Sequence, residues 1–189
     1  MNNVSDYIDF DFATATAKKI QIEKPVMSFY IIFSINVGLR YSDVITLKHT
    51  DMVEKNVNDT LILFEKKTSK KRVITLNKNI IEAYTILVES LNNVEKYNVN
   101  DFIFLSNKKS VFTNVSINML LKKIFNKKKL NISSHSLRKS FGRKIYENNN
   151  QSEHSLVLLS DMFNHTSISI TRRYLGLRSE EISNVYLSL

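Results

Sequence analysis

The 189-residue sequence predicts a mainly helical α+β domain with one small antiparallel sheet near its N-terminal part. Three observations lead to this prediction. Apolar residues recur at helical spacing over most of the chain, short runs rich in β-branched and aromatic residues are confined to residues 52–76, and turn residues separate those runs. The chain is 43% hydrophobic with three Gly and one Pro, a composition typical of a protein that buries a core and lacks long linkers.

The first predicted helix begins at Pro25 and ends at Gly38, because proline suits the first turn of a helix and glycine commonly terminates one. The apolar side chains between these two residues repeat at helical spacing. Ser42 and Asp43 then predict the cap of a second, short helix that runs to about Thr50.

The next segment predicts a three-stranded antiparallel sheet, because three short β-rich runs follow one another with turn residues between them. The runs are Val53 with Val57, then 61–64, then 73–76, and the turns are 58–59 and 68–70.

Helical periodicity returns after the sheet and continues to the C-terminus. The predicted helices of this part are 79–91, 113–127, 135–148, 153–163, 168–175 and 179–188. Residues 1–24 are interpreted as an N-terminal extension or the remnant of a linker. The predicted domain therefore covers residues 25–189.

The charge distribution predicts a polyanionic partner. Twenty-seven Lys and Arg against eighteen Asp and Glu give a formal net charge of +9. Between Phe102 and Tyr146 there are eleven Lys or Arg and no acidic residue, and an acid-free window from Lys66 to Ile81 holds six basic residues. Such clusters are typical of contacts to a nucleic-acid backbone, although a solvated lysine-rich face would give the same pattern.

Several classes of protein are excluded by what the sequence lacks. Without Cys it can hold neither a disulfide framework, a thiolate zinc site nor an iron–sulfur cluster. Three Gly residues cannot form a Walker A loop or a dinucleotide fingerprint, so no nucleotide cofactor is expected. No apolar run is long enough to span a bilayer and residues 1–24 show no signal peptide, so we expect a cytoplasmic protein without a membrane partner.

Four local signatures occur in a fixed order along the chain. They are Gly-Leu-Arg-Tyr-Ser-Asp at 38–43, Lys-Thr at 67–68, His-Ser-Leu-Arg at 135–138, and Asn-His at 164–165 followed by Tyr174. Each is weak alone because short motifs occur by chance, but their joint order and spacing are specific. Together they resemble the catalytic domain of the tyrosine recombinases, the phage-integrase family of site-specific DNA recombinases, and among these the integrases of mobile elements.

The resemblance implies an enzyme that cuts and rejoins DNA strands through a 3′-phosphotyrosine intermediate, without a metal or ATP. The implied catalytic residues are Arg40, Lys67, His135, Arg138, His165 and Tyr174. Two guanidiniums can hold the charge of a phosphodiester transition state, a phenol can become the anionic attacking group, and a lysine among other cations can protonate the leaving oxygen. His135 would help to accept the tyrosine proton, His165 would hydrogen-bond the scissile phosphate, and Lys66 and Lys70 are the alternatives to Lys67.

Double-stranded DNA is the predicted partner, and the side chains expected to contact it are basic residues near the implied catalytic ones. They are Lys66, Lys70, Lys71, Arg72, Lys139, Arg143, Arg172 and Arg173. The resemblance also implies a protein that is monomeric in solution and tetrameric on DNA, with residues 179–189 docked on a neighbouring protomer. Packing of that segment on its own domain is the alternative. On DNA, the protein would be associated with the nucleoid.

Two positions depart from the family pattern. Asp43 stands where Glu is usual, and Asn164 stands where Gly usually precedes the second histidine, although Asn also tolerates left-handed backbone. Two other functions stay open: a type IB topoisomerase-like enzyme that nicks and closes DNA, and a DNA-binding module whose catalysis has decayed. A metal-dependent transposase or nuclease would need clustered carboxylates, which the basic windows lack.

Overall fold

The computed structural model describes residues 4–93, 98–126 and 129–189, and over these residues it confirms the predicted mainly helical α+β architecture. In chain order the elements are α1 (Phe10–Ile20), α2 (Pro25–Val37), α3 (Tyr41–Val44), a 3₁₀ helix (His49–Asp51), β1 (Thr60–Phe64), β2 (Lys71–Thr75), α4 (Lys78–Asn92), α5 (Asn114–Phe125), α6 (Ser134–Asn148), α7 (Glu153–Phe163), α8 (Ile168–Leu175) and α9 (Leu177–Leu187). No helix in the described part of the chain is long and apolar enough to cross a membrane.

Helix α2 lies at the centre of the core. It is apolar on all sides, and Phe29, Ile31, Phe33 and Ile35 have no exposed surface. A helix of this composition needs neighbours all around it, and α1, α4 and α6 pack against it. Helix α1 thus belongs to the same core, although the sequence did not predict this helix. The division of the chain into two parts after residue 24 stays a prediction.

Gly38 ends α2 and brings two site-bearing segments together. Its φ of 63° is left-handed, and a Cβ at this position would lie 2.2 Å from Cδ1 of Phe141 on α6. Glycine is therefore required both for the turn and for the close approach of α6. The turn places Arg40 at the start of α3, beside the first turns of α6.

The predicted second helix is wrong in its length. Helix α3 has Arg40 and not Ser42 at its N-cap, and it ends at Val44. A turn at residues 45–46 follows it, and Lys48, in extended backbone, then forms an antiparallel bridge with Phe102 before the 3₁₀ helix begins. Pairing with a distant segment therefore replaces the helical hydrogen bonds that the sequence pattern suggested.

The predicted third strand is also wrong, because among the described residues the sheet contains β1 and β2 alone. The Val53 amide donates to the carbonyl of His49 at 2.8 Å, and Glu54 and Asn58 have left-handed φ values of 63° and 74°. Local turns thus use the backbone groups that a strand would offer to a neighbour. The predicted turn at 58–59 directly precedes β1, and the predicted turn at 68–70 lies between β1 and β2.

The helices predicted after the sheet correspond to α4 through α9, with ends that differ by no more than two residues. Helix α5 stops at Phe125 because Asn126 has a left-handed φ of 44°. Residue 127, the predicted end of that helix, lies outside the described residues.

Candidate active site

Two arginines from different elements meet at the C-terminal end of α7. Arg40 Nη2 donates to the backbone carbonyl of Phe163 at 3.2 Å, and Arg138 Nη2, from α6, donates to the same oxygen at 3.0 Å. Arg138 Nη1 also donates to the carbonyl of Gly38 at 2.6 Å. The last carbonyls of a helix lack intrahelical partners and carry partial negative charge. One helix end therefore fixes the spacing of the two guanidiniums.

A buried glutamate balances part of this positive charge. Glu65, at the end of β1, accepts hydrogen bonds from Arg40 Nη1 at 3.0 Å and from the Thr68 hydroxyl at 2.7 Å, and it lies 3.2 Å from Arg72 Nε. Burial alone would raise the pKa of Glu65, but the Thr68 hydrogen bond and the two arginines outweigh burial and lower it. Its carboxylate is therefore ionised at neutral pH.

Burial also acts on Arg138 without discharging it. Burial, together with the positive charge of Arg40, lowers the pKa of Arg138 to about 10. The guanidinium carbon lies 4.3 Å from the ring centroid of Phe163, so the aromatic face stabilises the cation as well. Arg138 thus stays positively charged at neutral pH.

Tyr174 lies in the last turn of α8, in an aromatic cluster beside the arginines. Its ring packs edge-on against Phe163 and His165, at centroid distances of 5.5 and 5.4 Å, and its hydroxyl is 3.5 Å from the carbonyl of His135. Burial raises the pKa of Tyr174 to about 12, although Arg138 and Arg40 oppose the shift. The phenol is therefore protonated at neutral pH and needs a base in order to attack.

The ring of His165 packs against the phenol, and the backbone of His135 faces its hydroxyl. His165 follows Asn164, which ends α7 with a left-handed φ of 54°, a conformation that asparagine tolerates. The Nδ1 atom of His165 lies 2.9 Å from the Thr171 hydroxyl. Burial, Arg138 and then Arg40 lower the pKa of His165 to about 4, and partial burial with the neighbouring cations also lowers the pKa of His135. Both imidazoles are therefore neutral at pH 7 and can accept a proton or a hydrogen bond.

The hairpin turn between β1 and β2 carries the three candidate lysines. Lys67 is exposed and makes no hydrogen bond or ion pair with another described residue. The Lys66 amide donates to Oδ1 of buried Asp43 at 2.9 Å, and Lys70 Nζ donates to Asn164 Oδ1 at 2.6 Å. The structure thus brings the turn to the arginines and to His165, while the choice of Lys67 as the proton donor stays a prediction.

The eight cations predicted to contact DNA divide into two groups. Five have their charged groups engaged within the protein: Arg72 by Glu65 and the Met162 carbonyl, Lys139 by the Ser5 carbonyl, Arg143 by Glu180, Arg172 by Glu153 and Glu181, and Lys70 by the Asn164 side chain. Lys139 is 5% exposed. The other three, Lys66, Lys71 and Arg173, have exposed side chains, as Lys70 does, on or near the face that carries the site.

Glu65 and the carbonyl of Phe163 belong to the site but were not predicted from the sequence. An acidic residue at the edge of the basic window was the available signal for Glu65, whereas no sequence pattern marks a backbone carbonyl. Within the described ranges there is no group of three or more His, Cys, Asp or Glu side chains placed to hold a metal ion.

The chain belongs to the phage integrase family, whose model matches residues 12–181. The probable integrase/recombinase YoeC of Bacillus subtilis (strain 168) is similar to it, with 29% identity over 160 residues, or 84% of this chain and 81% of YoeC. The family prediction is thereby confirmed.

Solved structures show the same fold. XerH site-specific recombinase bound to difH superposes with a TM-score of 0.69 at 20% identity, over 97% of this chain and 54% of XerH. XerA recombinase superposes with a TM-score of 0.70 at 15% identity, over 100% of this chain and 66% of XerA. The chain thus spans about half the length of XerH, and the predicted tyrosine-recombinase catalytic fold is confirmed.

Proposed function

We propose that this chain is the catalytic domain of a site-specific DNA recombinase that cuts and rejoins strands through a phosphotyrosine link to Tyr174. The observation that supports it most strongly is the convergence of Arg40, Arg138, the half-buried Tyr174 phenol and two neutral imidazoles at the end of α7. Membership of the phage integrase family supports the same function.

The geometry supports a balanced transfer. The Tyr174 oxygen forms a bond to phosphorus, the bond from phosphorus to the 5′-oxygen breaks, and the strand stays attached through its 3′-phosphate. The phenolic proton passes to neutral His135, and Lys67 supplies a proton to the departing 5′-oxygen. Arg40 and Arg138 stabilise the charge on the non-bridging oxygens, since a guanidinium has five N–H donors and their carbonyl contacts use part of them.

Double-stranded DNA is the substrate that the charge supports. Exposed cations of the hairpin (Lys66, Lys67, Lys70 and Lys71) and Arg173 beside Tyr174 can neutralise backbone phosphates around the site. Among structural neighbours, XerH is bound to its difH substrate and the Tn1549 transposon integrase to circular intermediate DNA.

Covalent capture tests the proposal. The chain is incubated with duplexes that have a randomised central segment, and DNA that stays attached to protein in SDS is sequenced; the sequence recovered is called the selected duplex below. The wild-type chain should form this adduct in excess EDTA. Tyr174→Phe should form none while its affinity for the selected duplex stays within about threefold, because only a hydroxyl is lost.

Tyr7→Phe is the matched control, because Tyr7 is an exposed tyrosine outside the site and the loss of its hydroxyl should not affect the adduct. An adduct formed by Tyr174→Phe, or one that requires Mg²⁺, would refute the proposed mechanism. Relaxation of supercoiled plasmids that lack the selected sequence would instead indicate the topoisomerase-like alternative.

The proposed assembly on DNA is a tetramer joined through α9. Of this helix only Leu177 is buried, whereas Tyr186 is 74% and Leu187 is 81% exposed. Ion pairs from Arg143 to Glu180 and from Arg172 to Glu181 hold the helix at its own domain. Since the ion pairs leave its apolar side chains in solvent, a neighbouring protomer is the surface that would cover them.

A further inference from the structure

We propose that Glu65 is a positioning residue for this reaction, whose carboxylate holds the turn that carries Lys67 against Arg40. The proton donor and the phosphate clamp would then face the same phosphodiester. The inference rests on the recombinase function proposed above. Glu65 lies outside the four sequence signatures, next to Lys66 in the chain.

The side chain of Glu65 joins two parts of the site through one oxygen. The residue is 1% exposed, and its Oε2 accepts hydrogen bonds from both Arg40 Nη1 at 3.0 Å and Thr68 Oγ1 at 2.7 Å. Thr68 directly follows Lys67 in the chain. The Thr68 hydrogen bond therefore fixes the backbone from which the lysine side chain extends.

The backbone of Glu65 closes the same turn. Its N–H donates to the carbonyl of Lys70 at 3.0 Å, and its carbonyl accepts from the N–H of Ser69 at 2.8 Å. The turn is also attached to the 40–43 segment by the hydrogen bond from the Lys66 amide to Asp43. The hairpin turn thus meets the arginine-bearing segment at two points, and Glu65 provides the one that touches Arg40.

The negative charge of Glu65, and not its shape alone, is needed for this role. Arg40 and Arg72 both approach the carboxylate, at 3.0 and 3.2 Å, and Arg138 shares a carbonyl with Arg40. In a guanidinium–carboxylate pair the Coulomb attraction between opposite charges adds to the hydrogen bond, whereas a neutral amide leaves only the hydrogen bond. A glutamine would keep the volume and could still accept from Thr68, but it would hold Arg40 weakly, and the turn would lose its fixed position relative to the clamp.

The leaving group provides the test. Two versions of the selected duplex differ only at the scissile phosphate, where one has the natural bridging 5′-oxygen and the other has sulfur. A thiolate is a far weaker base than an alkoxide, so it leaves without a proton. A defect in proton delivery should therefore appear with the oxygen duplex and largely disappear with the sulfur duplex.

For Glu65→Gln we expect the rate constant of adduct formation to fall at least ~10-fold with the oxygen duplex and to stay within about threefold of wild type with the sulfur duplex. Lys67→Ala should show the same selective loss. Arg40→Ala should lower this rate constant at least ~10²-fold with both duplexes, because the substitution removes charge stabilisation of the transition state and not the proton donor of the leaving group. Glu82→Gln, the same chemical change on a half-exposed side chain of α4, should match wild type with both.

Thr68→Val provides a second test that spares the buried carboxylate. It should reproduce the selective loss, and Thr68→Ser, which restores a hydroxyl, should recover it. The inference is overturned if Glu65→Gln and Thr68→Val lower the rate constant of adduct formation equally with both duplexes, or lower it with neither. If Glu65→Gln does not fold, the comparison of Thr68→Val with Thr68→Ser decides alone. A wild-type chain that forms no adduct with either duplex would overturn the proposed function itself.

Discussion

The contact between α6 and α8 is so close at Gly142 that one added methyl group should disturb the nucleophile. A Cβ at position 142 would lie 2.6 Å from Leu175 Cδ2 and 3.0 Å from Phe163 Cζ. Leu175 adjoins Tyr174, and the Phe163 ring supports both Tyr174 and Arg138. Gly142→Ala must therefore displace the Leu175 side chain and the Phe163 ring, and the latter supports Tyr174.

The expected magnitudes differ for stability and for catalysis. Overpacking of this kind lowers the free energy of unfolding by about 1–3 kcal/mol, and the better helix propensity of Ala offsets up to about 1 kcal/mol of that loss. The net loss should be about 1 kcal/mol, or a fall in Tm of about 2–4 °C for a chain of this size. A misplacement of about 1 Å at a reacting group can cost about 10²-fold in rate, so adduct formation should fall by about 10- to 100-fold.

Thermal unfolding and single-turnover adduct formation on the selected duplex measure the two effects. Ile80→Val on α4 is the control, because Ile80 is fully buried in the main core and its shortening costs a similar ~1 kcal/mol. That variant should cleave at the wild-type rate. If Gly142→Ala loses stability but cleaves as fast as Ile80→Val, the spacing of α6 and α8 does not position Tyr174.

Acidity, salt and the C-terminal helix offer three more tests. Adduct formation should hold as the pH falls from about 8 through about 6.5, the ordinary histidine pKa, and decline only at lower pH, since the pKa of His165 is about 4 and that of His135 is lowered; a midpoint at or above about 6.5 would contradict this. Stability should decline between pH 6.5 and about 4, because there the unfolded chain binds a proton that folded His165 does not. Affinity for the selected duplex should fall with a log–log salt slope of about −4 to −5, for about five neutralised phosphates, and a flat response would mean that the exposed cations are only solvated. Replacing Val185, Tyr186 and Leu187 by Ser, with Glu180 and Glu181 kept, should leave single-duplex binding intact and abolish higher assemblies in sedimentation; unchanged assembly would refute docking on a neighbour.

Local signals account for most of the fold that the sequence predicted. Caps and apolar periodicity act within one or two turns, so α2 and the helices from α4 onward could be found from residues close in the chain. The prediction failed between Val44 and Val57, where the bridge from Lys48 to Phe102 and the left-handed Glu54 decide the conformation. Because Phe102 lies more than fifty residues from Lys48 in the chain, no local sequence pattern reveals this pairing.

The order and spacing of the four signatures were enough to find the family and a set of side chains that the structure brings together. Charge counting could not show which cations have acceptors inside the fold. Arg72 finds its acceptor 90 residues away at Met162, and Lys139 finds its acceptor 134 residues away at Ser5. Glu65 was missed for the same reason, because its role depends on Arg40 arriving from another element.

The acceptors at the end of α7 explain how four cations can lie close together in the absence of DNA. Three consecutive residues receive them: the Met162 carbonyl takes Arg72, the Phe163 carbonyl takes Arg40 and Arg138, and the Asn164 side chain takes Lys70. A helix C-terminus carries only about half a negative charge, whereas a phosphodiester carries a full one. Such acceptors can hold the cations apart from one another without competing strongly with the substrate. Arg40 and Arg72 are the exceptions because they also pair with ionised Glu65, whereas the hydrogen bonds of Arg138 end on backbone carbonyls. Arg138 is therefore the guanidinium whose charge is more available to the phosphate, and Arg40 is the one that connects the clamp to the hairpin.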